Sequence, residues 1–143
     1  MKTFVLDCST TIAWFFSDEV TPYSEAILNE LSQRRSRAIV PSLWELEVAN
    51  VLLSKIKRKY ISFSQAAEFL KKVRDLDICV LTSSGDENFA AVFPLAHEEK
   101  LTSYDAAYLH LALADNIPLA SLDAELCRAA KRVGVKLFSA STP

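Results

Sequence analysis

Five short apolar runs separated by helical patterns limit what this chain can fold into. Residues 3–8, 38–40, 78–81, 118–121 and 135–138 are short and partly β-branched, and they read as buried strands. The stretches between them carry helix signals. Thr21-Pro22 offers an N-cap followed by proline at the first helical position. Ser42 with Glu45, Ser62 with Gln65 and Ser84 with Glu87 each have capping-box spacing. Ser103 is expected to cap a further helix, and Leu122 or Asp123 to precede the last. Strands alternating with helices predict an α/β fold, a parallel sheet with helices on both faces. The pattern leaves the strand order open.

The 143 residues suit one domain over 1–143, long enough to bury a core. Hydrophobic residues make up 50 %, yet no uncharged apolar stretch could span a bilayer. The opening Met1-Lys2-Thr3-Phe4-Val5-Leu6 runs straight into Asp7 and does not resemble a secretory signal, so a cytoplasmic location is expected. Only Gly85 and Gly134 occur, which excludes glycine-rich dinucleotide and phosphate loops. Cys8, Cys79 and Cys127 form no C-x-x-C, so neither a zinc knuckle nor a disulfide framework is supported. Cys8 and Cys79 are expected as reduced core residues. His97 and His110 lack a histidine partner at helical spacing and read as structural. Trp14, Phe15, Phe16 and Trp44 read as core rather than base-stacking platforms. The formal net charge of -2 gives no basic excess of the kind nucleic-acid binders carry. Local basic clusters at Arg34, Arg35 and Arg37, at Lys55, Lys57, Arg58 and Lys59, and at Lys71, Lys72 and Arg74 fit solvated helix ends.

Four acids stand out by where the pattern puts them. Asp7 closes the run Phe4-Val5-Leu6, near the C-terminal end of the first strand. Asp123 falls just past Pro118-Leu119-Ala120-Ser121, at the same end of another strand. Open parallel sheets bind ligands at that edge. The helix from Ser103 leads into the strand at Pro118, so Asp105 in its first turn faces the same edge. The helix after Pro41 also starts there, and Glu47 lies about 7 Å along it. The four can converge, and carboxylates share a small space only if some are protonated or a cation neutralises them.

Singly, some have simpler explanations. Asp105 suits a helix N-terminus through the dipole, and Asp123 suits an N-cap. Asp7 is costly to bury without a partner. Glu47 is the most telling, because Leu43 and Val51 lie four residues to either side and put it on an apolar stripe. Its neighbour Glu45 is assigned to the capping box. Asn50, three residues further on, could orient a water or phosphate. Ser9 and Ser121, two residues from Asp7 and Asp123, either hydrogen-bond the carboxylates or serve the turns.

Phe4-Val5-Leu6-Asp7-Cys8-Ser9, the segment Val40-Pro41-Ser42-Leu43-Trp44-Glu45-Leu46-Glu47-Val48-Ala49-Asn50, Ser103-Tyr104-Asp105-Ala106-Ala107-Tyr108 and Leu119-Ala120-Ser121-Leu122-Asp123 occur in that order. Together they resemble the four motifs of PIN-domain ribonucleases, and most of all VapC-type toxins of toxin–antitoxin pairs. The resemblance covers nearly the whole chain. It implies a three-layer α/β/α sandwich and Mg²⁺- or Mn²⁺-dependent endonucleolytic cleavage of RNA. It assigns the acids of the site to Asp7, Glu47, Asp105 and Asp123. Ser121 stands where the family more often has Thr, and keeps the oxygen. The resemblance also implies a homodimer silenced by a cognate antitoxin, with operator DNA bound by the two together, mainly through the antitoxin; the lack of a spanning stretch leaves no membrane partner expected.

Within that reading, Asp7 and Asp123 would hold the main ion, Asp105 would ligate directly or through water, and Glu47 would hold a water or a second ion. An all-oxygen set suits Mg²⁺ better than zinc. Two alternatives compete. A haloacid-dehalogenase-like phosphatase needs a second acid where Ser9 stands, and a PIN-like domain could bind RNA or protein without cutting.

Overall fold

The computed structural model describes residues 1–82 and 86–140. In chain order it contains β1 (Lys2–Leu6), α1 (Cys8–Ala13), α2 (Pro22–Ser32), β2 (Ser36–Pro41), α3 (Leu43–Lys57), α4 (Phe63–Arg74) and β3 (Ile78–Leu81). A π-helical turn (Asn88–Val92), α5 (Phe93–Glu99), α6 (Ser103–Asp115), β4 (Leu119–Ala120) and α7 (Ala124–Arg132) follow. The sheet has the order β3-β2-β1-β4, and every pairing is parallel. Parallel neighbours need crossovers, and the helices that supply them cover the sheet as a three-layer α/β/α fold.

β1 and β2 lie at the centre, which explains their near-continuous apolar character. Phe4, Val5 and Leu6 are fully buried, as are Ala38, Val40, Leu119 and Ala120. Each large side chain of this kind contributes about 1.5–3 kcal/mol through burial. Phe4 faces Ala38 across one ladder, and Leu6 faces Ala120 across the other. The second ladder carries on past β1, with Asp7 N–H donating to Ala120 O at 3.0 Å.

The expected strand at residues 135–138 shrinks to a single bridge between Leu119 and Leu137. β4 is only two residues long, so it offers too little edge for a longer ladder. The segment is nonetheless held firmly. Phe138 N–H donates to Leu119 O at 2.8 Å, and its ring stacks on Phe4 with centroids 4.0 Å apart. Tyr23 Oη donates to Phe138 O at 2.7 Å. β1 ends one residue before Asp7, and Cys8 opens α1 instead of closing the strand.

The caps follow local chemistry, with two corrections. Thr21 and Ser24 form a reciprocal box at α2, and Ser62 and Gln65 form one at α4. Ser42 forms none: it already has helical φ −59° and ψ −29°, which turns its hydroxyl away from the capping position, and Glu45 is exposed. Thr102 rather than Ser103 caps α6, accepting from Asp105 N–H at 3.1 Å. Ser84, the remaining predicted cap, lies outside the described residues. The π-turn has a clear cause. Pro94 cannot donate a backbone hydrogen bond, and Phe93 N–H reaches back five residues to Asn88 O. Cys79 is exposed rather than in the core, since β3 is an edge strand. No helix among the described residues is long and apolar enough to cross a membrane.

Candidate active site

Parallel strands put all their C-terminal ends on one edge, and the four acids gather there. Asp7 directly follows β1, Asp123 follows β4, Asp105 is in the first turn of α6, and Glu47 is the fifth residue of α3, which starts just past β2. Their charges confirm the gathering. Burial first, then Asp7, Asp123 and Glu47, push the Asp105 carboxyl up to about 6. Burial also raises Glu47, with Asp7 adding to it. One carboxylate that feels the other three is the mark of a shared site.

Asp7 is 4 % exposed, and burial holds its carboxyl above the ordinary aspartate range. Two hydroxyls offset part of that cost. Ser9 Oγ and Ser121 Oγ both donate to Asp7 Oδ2, each at 2.7 Å. Each serine oxygen in turn accepts a backbone N–H from the loop after β4, from Leu122 to Ser9 and from Asp123 to Ser121, both at 3.0 Å. The chain from loop amides through serines to carboxylate fixes the direction of Asp7. Ser9 and Ser121 therefore bond a carboxylate and do not merely serve turns.

Asp123 does two jobs. Its Oδ1 accepts from Leu126 N–H at 3.0 Å and caps α7, while its backbone binds Ser121. Glu47 Oε1 accepts a 2.6 Å hydrogen bond from Tyr108 Oη. α3 is held in place nearby by Trp44, whose Nε1 donates to Thr11 Oγ1 at 3.0 Å. Asn50 is exposed three residues beyond Glu47 and shares no hydrogen bond with the four acids.

One residue near the acids escaped the sequence reading: Tyr108, three residues after Asp105 on the same helix. Cys8, expected as a reduced core residue, is buried with a free thiol next to Asp7. Burial, then Glu47, Asp7 and Asp105, push its thiol up to about 12, so it stays protonated in the field of the acids. His97 is exposed, and His110 pairs with Glu87 at 3.1 Å.

The three basic clusters do not border this edge. Arg34 and Arg35 precede β2, and Arg37 pairs with Thr3 at its start. Lys71, Lys72 and Arg74 precede β3. Both clusters therefore lie at the opposite edge of the sheet. Lys55 is at the far end of α3, roughly 12 Å beyond Glu47 along the helix, with its Nζ over the rings of Phe16 and Tyr60. Lys100 lies five residues before Asp105, and Arg128 five residues after Asp123. They line a groove of about 420 Å³ with Leu101, Glu98, Glu125 and the Glu99–Arg132 ion pair. Its walls lead into α6 at Asp105 and descend α7 from Asp123. A cleft of about 610 Å³ between Trp14, Phe15, Leu28 and Phe69 is not lined by any of the four acids.

Among the described residues, no three His, Cys, Asp or Glu side chains stand close enough to grip an ion as they are. Mg²⁺ keeps several of its waters and tolerates such a loose set. The donors facing one another are carboxylate and hydroxyl oxygens, which fit a hard divalent cation.

A PIN domain family model matches residues 4–132, and the chain belongs to that family. No curated protein matches it. Among solved structures, it is similar to PAE2754 from Pyrobaculum aerophilum, with TM-score 0.68 and 22 % identity over 90 % of this chain and 84 % of that one. It is also similar to a domain of a functionally unknown protein from Methanocaldococcus jannaschii, with TM-score 0.53 and 17 % identity over 100 % of this chain and 94 % of that one. At these identities the likeness concerns the fold. Family membership sets the phosphatase alternative aside, and Ser9 is occupied in holding Asp7.

Proposed function

We propose that this PIN domain, a fold generally used by nucleases, is a Mg²⁺- or Mn²⁺-dependent endoribonuclease and the toxin of a toxin–antitoxin pair. The observation that carries the reading is the convergence of Asp7, Glu47, Asp105 and Asp123 on the strand C-terminal edge, where Asp7, Asp123 and Glu47 all act on the Asp105 carboxyl. A group of carboxylates of this kind costs stability even with its hydrogen-bond donors, so its presence argues for a job that needs negative charge.

Asp7 and Asp123 would hold the main ion. Asp7 is held through Oδ2 by both serine hydroxyls, and Asp123 through Oδ1 by Leu126 N–H. Asp105 would complete the set directly or through water, and Glu47 would hold a water or a second ion. A divalent ion in this place neutralises phosphate charge and supplies a nucleophilic water for in-line attack. Lys100 and Arg128 would carry the RNA backbone past the acids. Single-stranded or looped RNA is favoured, because its bases are accessible.

The partners belong to the same proposal: a cognate antitoxin that covers the acids, operator DNA bound only through that complex, and a homodimer. The test is cleavage of total RNA by purified protein with Mg²⁺, Mn²⁺ or EDTA, with cut sites mapped. Endonucleolytic cuts that EDTA abolishes are expected. Intact RNA under every condition, or cleavage indifferent to EDTA, overturns the reading. A short neighbouring reading frame encoding a DNA-binding fold, whose product blocks cleavage, is the expected sign of the toxin role.

A further inference from the structure

Tyr108 is fully buried and is among the largest side chains of the core. A buried phenol needs an acceptor. The structure gives its hydroxyl Glu47 Oε1, on a helix 61 residues away in the chain, at 2.6 Å. That length is in the range of charge-assisted O–H···O⁻ bonds. Among the described residues, Glu47 has no other side-chain hydrogen bond. α6 thus supplies two groups to the acidic edge: Asp105 from its first turn and, one turn deeper, the donor that fixes the acid of α3.

We propose that Tyr108 is a positioning residue that locks the Glu47 carboxylate through Oε1 and leaves Oε2 to face the cation and its waters. This rests on the nuclease reading above. A glutamate side chain rotates about three bonds and is half-exposed here. A tyrosine rotates about two and is wedged in the core. The anchor is therefore rigid where the ligand is not. Groups that orient a metal ligand typically cost 10–100-fold in metal affinity when removed. A tyrosine that merely satisfies its own hydroxyl would affect folding stability and leave metal binding alone.

The experiment is a double-mutant cycle on Mn²⁺ affinity, read by electron paramagnetic resonance, with Tyr108→Phe, Glu47→Ala and the pair. Phenylalanine keeps the buried ring and removes only the hydroxyl. Tyr108→Phe is expected to weaken Mn²⁺ binding about tenfold, and to have less than about a twofold effect once Glu47 is Ala. Affinity within about twofold of wild type, or an equal loss in both backgrounds, overturns the positioning role. Wild-type protein that binds no Mn²⁺ overturns the nuclease reading itself, and this inference with it.

A second measurement applies even if Tyr108→Phe does not fold. The chain has four tyrosines, so its 3-fluorotyrosine ¹⁹F spectrum can be assigned with Phe at Tyr23, Tyr60 and Tyr104. Mg²⁺ is expected to move the Tyr108 line in wild type and to leave it still in Glu47→Ala. A Tyr108 line that ignores Mg²⁺ in wild type, or moves equally in both, overturns the proposal.

Discussion

Ser121 Oγ donates to Asp7 Oδ2 at 2.7 Å across 114 residues of chain, joining the end of β4 to the end of β1. The same oxygen accepts the backbone N–H of Asp123. One hydroxyl thus ties two of the four acids into a single rigid unit. Ser121→Ala is predicted to lower Mg²⁺-dependent RNA cleavage at least about tenfold. Ser121→Thr keeps the oxygen and is predicted to retain most of the activity. Cleavage rates at saturating Mg²⁺ check both.

The coupling of the acids predicts an unusual pH dependence. Asp105 has its carboxyl raised from 3.8 to about 6. A raised carboxyl contributes stability that is fully present below the unfolded value and is lost as pH rises through the folded one. Asp105→Asn is therefore predicted to stabilise the metal-free protein at pH 7.5, with the gain fading toward pH 4. The half-exposed side chain limits the effect to about 1 kcal/mol, or about 2–4 °C in Tm. Saturating Mg²⁺ should reverse the order, because wild type gains binding energy that the variant lacks. Thermal unfolding at both pH values, with and without Mg²⁺, decides.

Glu30 shows the opposite sign. It is buried, accepts from Ser36 Oγ at 2.7 Å and pairs with Arg35 at 3.0 Å. The Ser36 hydrogen bond, then Arg35, hold its carboxyl below the ordinary 4.5, against the effect of burial. Its contribution is present above 4.5 and is lost as pH falls through the lowered value. Glu30→Gln is predicted to cost about 2 kcal/mol in urea unfolding at pH 7, with no change in metal affinity.

The edge on which the cations lie predicts which of them meet RNA. Replacing Lys100 and Arg128 with Ala should weaken RNA binding and flatten its salt dependence by about 0.7 per charge removed. Replacing Lys71 and Lys72, at the opposite sheet edge, should leave both unchanged. Filter binding over a salt series separates the two sets.

What the sequence made legible, and what it hid, follows from the range of the interactions. The central strands announce themselves because burial on both faces demands unbroken apolar runs, as in Phe4-Val5-Leu6. Thr21 and Ser62 cap as expected, since their partners lie three residues away. The convergence of the acids was readable because parallel topology forces strand ends onto one edge. Long-range bonds were not. Nothing local marks Tyr108 as the partner of Glu47, or separates the Ser121 that holds Asp7 from a turn serine. The last apolar run read as a strand because periodicity reports burial, not hydrogen-bonded length. Phe138 is buried by stacking on Phe4 with only a bridge beside it. The basic clusters at Lys55 and Lys57 and at Lys71, Lys72 and Arg74 do sit at helix ends, as their composition suggested, but proximity in sequence could not say which edge of the sheet they occupy.

The most direct test is anomalous diffraction from crystals of the protein soaked in Mn²⁺. The account predicts a peak at the strand C-terminal edge within ligand distance of Asp7 and Asp123, and no such peak in Asp7→Asn. A wild-type crystal with no peak there, or with manganese bound only elsewhere on the surface, would contradict it.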